Sequence, residues 1–166
     1  ILAHMGLPVP ADSARVGRVD AIHILAKAGG TQSAGALEQT LVELATVVSD
    51  PTPKLILADE LEAITEPGAG ARIIAGMLLA ARVQKNTSMM LVTHLAPAII
   101  EASGVDDFRV DGIEARGLDA DLELIVDRTP IRNHLARSTP ELIVKRLVER
   151  SEGHAKSLFD DILRMF

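Results

Sequence analysis

The sharpest feature of the hydrophobic pattern is a short apolar run that stops at two acids, Lys54-Leu55-Ile56-Leu57-Ala58-Asp59-Glu60. Its length suits a buried strand over Leu55 to Ala58, and a helical pattern begins a few residues later. Two similar runs flank it. Val19 to Ala26 (VDAIHILA) alternates at first and then becomes continuous, and Ser88 to Thr93 (SMMLVT) ends at His94. Both predict strands, and Ala14-Arg15-Val16 suggests a further short one. Between the runs the period lengthens. Leu37, Leu41, Leu44 and Val48 recur at spacings of four, three and four, which is one buried helical stripe. Ser49-Asp50-Pro51-Thr52-Pro53 ends that helix. Leu61 to Gly70 reads as a turn-rich connection to a second helix, from about Gly68 to Val83, with Ile74, Met77 or Leu78, and Ala81 on its inner side. A short third helix is predicted over Leu95 to Ala102, with Pro97 tolerated in its first turn. Strand, helix, strand, helix, strand, helix argues for a mainly parallel sheet covered by helices.

From Asp106 the pattern changes. Phe108 to Ile113 and Leu122 to Val126 read as two strands of an antiparallel hairpin around a Gly- and Asp-rich turn. Ser138-Thr139-Pro140-Glu141 has the form of a capping box, so a helix should start there and run to about Arg150. Gly153 breaks it, and Leu158, Ile162 and Phe166 mark a last amphipathic helix. At the other end, Ile1-Leu2-Ala3-His4-Met5 reads like the last turns of a helix stopped by Gly6, Pro8 and Pro10. The chain is therefore expected to be a piece of a longer protein.

Composition narrows the chemistry. The 166 residues fit one ordinary domain with a real core, and 48% apolar with 24% charged content is that of a globular protein. No cysteine is present, which excludes disulfides and thiolate chemistry. With no Trp or Tyr and only Phe108, Phe159 and Phe166, aromatic stacking on bases is almost excluded as a main binding mode. The net charge of −6 argues against a generally basic nucleic-acid clamp. Between Arg128 and Arg150, however, six basic residues face two acids, which reads as a solvated helix face or as a contact for phosphate or a partner. No run is long enough to cross a bilayer and no signal peptide is visible, so a cytoplasmic setting is expected.

The candidate chemistry lies where the strands end. Asp59-Glu60 closes one predicted strand and Thr93-His94 closes the next, while the Gly- and Ser-containing loop Gly29 to Gly35 leads into the helix upstream of both. In a parallel sheet, carboxyl ends share one edge, and ligands bind there. Two adjacent carboxylates can divide labour: one binds a metal or its water shell, and the other polarises an attacking water.

These segments resemble a known family. "LILADE" followed after one helix by "LVTH" resembles the Walker B and switch-histidine strands of ABC-type P-loop ATPases. "DELEAITEPGAGARI", "AHMGLPVPADSARVGRVDAI" and "GGTQSAGALEQTLVEL" are similar to the corresponding segments of the MutS family of DNA mismatch-repair ATPases. The resemblance spans about Ile1 to Ile99 well and the remainder loosely. It implies an α/β P-loop NTPase fold of ABC type with a C-terminal strand pair and helices, divided as a partial ATPase domain over 1–130 and a helical segment over 131–166. It implies ATP and Mg2+ as cofactors, with Asp59 holding the metal's water shell, Glu60 as the base that orients the attacking water, and His94 sensing the γ-phosphate. Ser33 and Gly35 would sit on the signature loop, and Thr65, Glu66 and Gly68 on a dimer-facing segment. The partners implied are a second copy of the chain, closing on ATP, and DNA held through domains outside these residues; no membrane is implied. No G-x-x-x-x-G-K-[ST] occurs, so the phosphate cradle is expected before Ile1. The alternatives are an ABC ATPase subunit of a chromosome-structure or transport complex, or a catalytically inactive dimerisation module.

Overall fold

The computed structural model describes residues 1–26, 34–61 and 65–166. They form two compact units, Ile1–Asp106 and Asp107–Phe166. In the first unit, a 3-10 turn over Leu2–Met5 leads through a long irregular segment to β1 (Ala21–Ala26), α1 (Ala34–Ser49), β2 (Lys54–Asp59), α2 (Pro67–Arg82), β3 (Thr87–Val92) and α3 (Ala96–Ser103). The three strands form one parallel sheet in the order β1-β2-β3, as the alternation of periods predicts. Residues 14–16 add no strand. Three residues flanked by Gly17 and a run of turn formers have no partner strand to give them a ladder.

The core lies on one face of the sheet. Leu25 of β1 and Ile56 and Ala58 of β2 pack with Leu44, Val47 and Val48 of α1, Ala71, Ile74 and Ala75 of α2, and Ile99 of α3. The helix stripe is as predicted at Leu44 and Val48, while Leu41 is half-buried. In α2 the inward face is narrower than leucine-based patterns suggest: Gly70, Ala71 and Ala75 are buried beside Ile74 and Ala81. Small side chains there allow the helix to lie close to the sheet. Glu66 caps α2, its carboxylate accepting from the Gly68 and Ala69 amides at 2.7 and 2.8 Å, with Pro67 opening the helix. Among the described residues the helices cover only this face. The opposite face carries Ile24, Met90 and Val92, each about 60% exposed. The expected cover of helices is thus met on the core face.

The second unit contains β4 (Ala115–Leu118), β5 (Leu124–Val126), α4 (Pro140–Arg150) and α5 (Gly153–Leu163). β4 and β5 pair antiparallel, so the hairpin exists, but its first strand is not Phe108 to Ile113. In that segment only Gly112 makes a ladder contact, an isolated bridge to Ile131. The reversal is built by Asp119, whose Oδ1 accepts from the Asp121 and Glu123 amides at 2.9 Å each, and this ties the turn to Leu118 rather than to Ile113. The helix predicted at Pro140 is present, but no side-chain capping bond forms. The N-cap is Thr139, which makes Glu141 the second helical residue; it is one position too early to reach back. In α5 no residue is buried, and Leu158 and Phe166 of its predicted stripe are exposed.

Candidate acid–imidazole site at the sheet edge

β2 and β3 run side by side in register, with Asp59 opposite Val92 and opposite Ala26 on the other neighbour. Asp59 is thus the last ladder residue of the central strand. Glu60 follows, and its amide still donates to the Val92 carbonyl at 3.1 Å. Its φ of 48° lies in the left-handed region, which an ordinary glutamate enters only under constraint. The constraint has two visible parts: that hydrogen bond to β3 and the burial of Leu61 immediately after it. Between them the chain turns out of the sheet at Glu60.

On β3, the turn after Val92 is held by Thr93, whose hydroxyl oxygen accepts from the Leu95 amide at 3.0 Å, and Leu95 is the N-cap of α3. His94 is therefore carried between the end of a strand and the start of a helix. Its Nε2 stands 3.0 Å from Glu60 Oε1. The two side chains come from positions 34 residues apart and meet at the carboxyl edge, with side-chain exposures of 77% for His94 and 49% for Glu60. With the proton on Nε2 the ring donates to the carboxylate; in the other tautomer that nitrogen is an acceptor.

The remaining sequence-predicted residues divide as follows. Ser33 lies outside the described residues, as does most of the loop Gly29 to Gly35. Gly35 is in the first turn of α1. Thr65 is half-buried and lines a small apolar cleft with Leu41, Leu44, Leu61, Ile74 and Met77 between α1 and α2. Gly68 donates its amide to the capping carboxylate of Glu66. Two neighbours take parts that hydrophobic periodicity does not reveal. Thr93 was read as part of its strand, and the Glu66 cap within a turn-rich connection; Pro67 directly after an acid is the clue to the cap. In the basic stretch, Arg146 and Arg150 both reach Glu123, at 3.2 and 2.8 Å, so part of that charge is met within its own unit.

Among the described residues, no group of three His, Asp or Glu stands ready to hold a metal unaided. One or two carboxylates on an open rim nevertheless suit Mg2+, which keeps several waters and takes phosphate oxygens from its substrate.

A parallel α/β sheet presenting two carboxylates and an imidazole at its carboxyl edge places the molecule among the open-sheet α/β proteins, whose ligands bind at that edge. Over all 166 residues the chain is 44% identical to the DNA-binding protein MutS2 of Pyrococcus furiosus. It spans 29% of that relative's length. No family model matches the chain. No helix among the described residues is long and apolar enough to cross a membrane.

Proposed function

We propose that this chain is part of an ATP-binding and ATP-hydrolysing domain, of the ABC-type P-loop class, in a MutS-like DNA repair or recombination protein. The observation that supports it best is the 3.0 Å approach of His94 Nε2 to Glu60 Oε1 beside Asp59. An acid pair and an imidazole on one rim are what a phosphoryl-transfer site needs from strand ends. In this reading Asp59 holds the water shell of Mg2+, which when bound neutralises charge on the phosphates. Glu60 accepts the hydrogen bond of the attacking water and takes up its proton. His94 exchanges its bond to Glu60 for one to the γ-phosphate, and so couples the base to the presence of that group. Ser33 and Gly35 belong to the loop that completes a partner's site, and Thr65 to the segment facing it, so ATP binding closes a dimer on DNA. The ATPase domain is read as extending over 1–130, with 131–166 as a helical addition.

The test is Glu60→Gln in the full-length protein. Hydrolysis is expected to fall by about 10²–10⁴-fold while nucleotide binding is kept. Hydrolysis at the parent rate would remove Glu60 from the reaction.

A further inference from the structure

His94 stands on the rim with its side chain 77% exposed, yet its Nε2 is 3.0 Å from a carboxylate carried by the neighbouring strand. An exposed imidazole between a strand and a helix has many settings open to it, and holding one of them costs conformational entropy. Glu60 is fixed from both sides: its amide is bonded to the Val92 carbonyl, and the next residue, Leu61, is 6% exposed. The corresponding hold on His94 runs through Thr93.

The Val92 carbonyl that receives the Glu60 amide belongs to the planar peptide group that opens Thr93, so the backbone of Thr93 is tied to the end of β2. The Thr93 hydroxyl oxygen then accepts from the Leu95 amide at 3.0 Å and closes a ring that contains the backbone of His94. A side-chain turn of this kind restricts both backbone angles of the residue it encloses. Its far end is anchored as well. Leu95 packs against the core cluster, and its carbonyl receives the Ile99 amide at 2.9 Å. The sequence of α3 leaves this task to Thr93, because the N-cap is a leucine, whose side chain has no acceptor. Glu60 and His94 are thus referred to each other through two hydrogen bonds that meet at Thr93.

We propose that Thr93 is a positioning residue for hydrolysis: its hydroxyl sets the backbone of His94, and through it the Nε2 that faces Glu60 and the γ-phosphate. The inference rests on the nucleotide reading of the rim. Thr93 acts through His94 and not on the phosphate. The oxygen is the part required, so serine serves in its place and valine does not. The loss falls on turnover and not on ATP binding.

The test compares Thr93→Val, Thr93→Ser, His94→Ala and the double variant in the full-length protein. Single-turnover hydrolysis of radiolabelled Mg-ATP with enzyme in excess reads slow variants. Thr93→Val keeps the shape but lacks the acceptor. It is expected to lower the rate constant about tenfold and to leave the half-saturating concentration within about twofold. Thr93→Ser is expected within about twofold of the parent rate. In the His94→Ala background, Thr93→Val is expected to change nothing further, because the ring it sets is gone. An equal loss in both backgrounds would make Thr93 structural and overturn the proposal. A Thr93→Val rate equal to the parent's, a Thr93→Ser rate as low as that of Thr93→Val, or a Thr93→Val protein that is unfolded by its urea midpoint would overturn it too. Glu60→Gln, assayed in parallel, separates this inference from the reading beneath it. Parent rates for both Glu60→Gln and His94→Ala would remove the nucleotide reading and the role of Thr93 together. Losses in those two variants with an additive Thr93→Val would remove the role of Thr93 alone.

Discussion

Lys54 shows how far one side chain can depart from its usual place. Its residue is 1% exposed, and its ammonium donates to the carbonyls of Asp50 and, at 3.3 Å, Thr52. It shares the helix-covered face of β2 with Ile56 and Ala58, so its stem packs while its charge satisfies two carbonyls between α1 and β2. Lys54→Met keeps the stem but leaves those carbonyls without their donor. A loss of about 1–3 kcal/mol is expected, read as a lower urea midpoint with unchanged slope. Gly112 is constrained in the opposite way. A Cβ there would meet His134 O at 2.6 Å and Ala136 N at 2.8 Å, both backbone atoms that cannot swing aside. Gly112→Ala should cost about 1–3 kcal/mol through overpacking, and should appear as weakened amide protection at Ile131, whose N–H donates to Gly112 O at 2.8 Å. At the rim, Asp59, Glu60 and His94 were legible as residues that follow apolar runs. The left-handed turn at Glu60 was not, because a φ of 48° is imposed by the neighbouring strand rather than by the residue's own preference.

Among the elements, α2 carries the clearest pH dependence. The two amide donors, Gly68 first and Ala69 second, hold the Glu66 carboxyl below the usual glutamate range. A depressed folded-state value means that the cap's contribution is fully present above the usual glutamate range and is lost as pH falls through the lower folded-state value. The Gly68 and Ala69 amide resonances should therefore shift together on acidification, with a midpoint below that of an unstructured glutamate. A midpoint at the ordinary value would mean that the cap is not formed in solution. The three parallel strands and helices α1 to α3 could be read within a few residues because period and length agree there. The first strand of the hairpin and the α4 cap could not. Asp119 chose the turn through its side-chain oxygen, which accepts from two backbone amides in a way invisible to periodicity, and Thr139 took the cap one residue later than Ser138.

For the whole molecule, stability of the first unit rests on a compact cluster under one sheet face, in which Ile56 and Ile74 are almost fully buried. Ile74→Ala should cost about 2–5 kcal/mol in denaturant unfolding. If the phosphate cradle lies before Ile1, the 166-residue chain alone should bind Mg-ATP more weakly than micromolar, measured by calorimetric titration. Micromolar affinity would contradict that placement. Sequence by itself determined the strand–helix alternation, the parallel order that follows from it, and the likeness to MutS2, because each is written in local period or in residue identity. It also placed acids and imidazole at strand ends. Tertiary structure alone decided that Glu60 and His94 meet, that Lys54 is buried, and that the described helices pack on one face of the sheet. Those outcomes depend on register between strands and on which helices are at hand to cover them, and both are set by contacts between residues far apart in the chain.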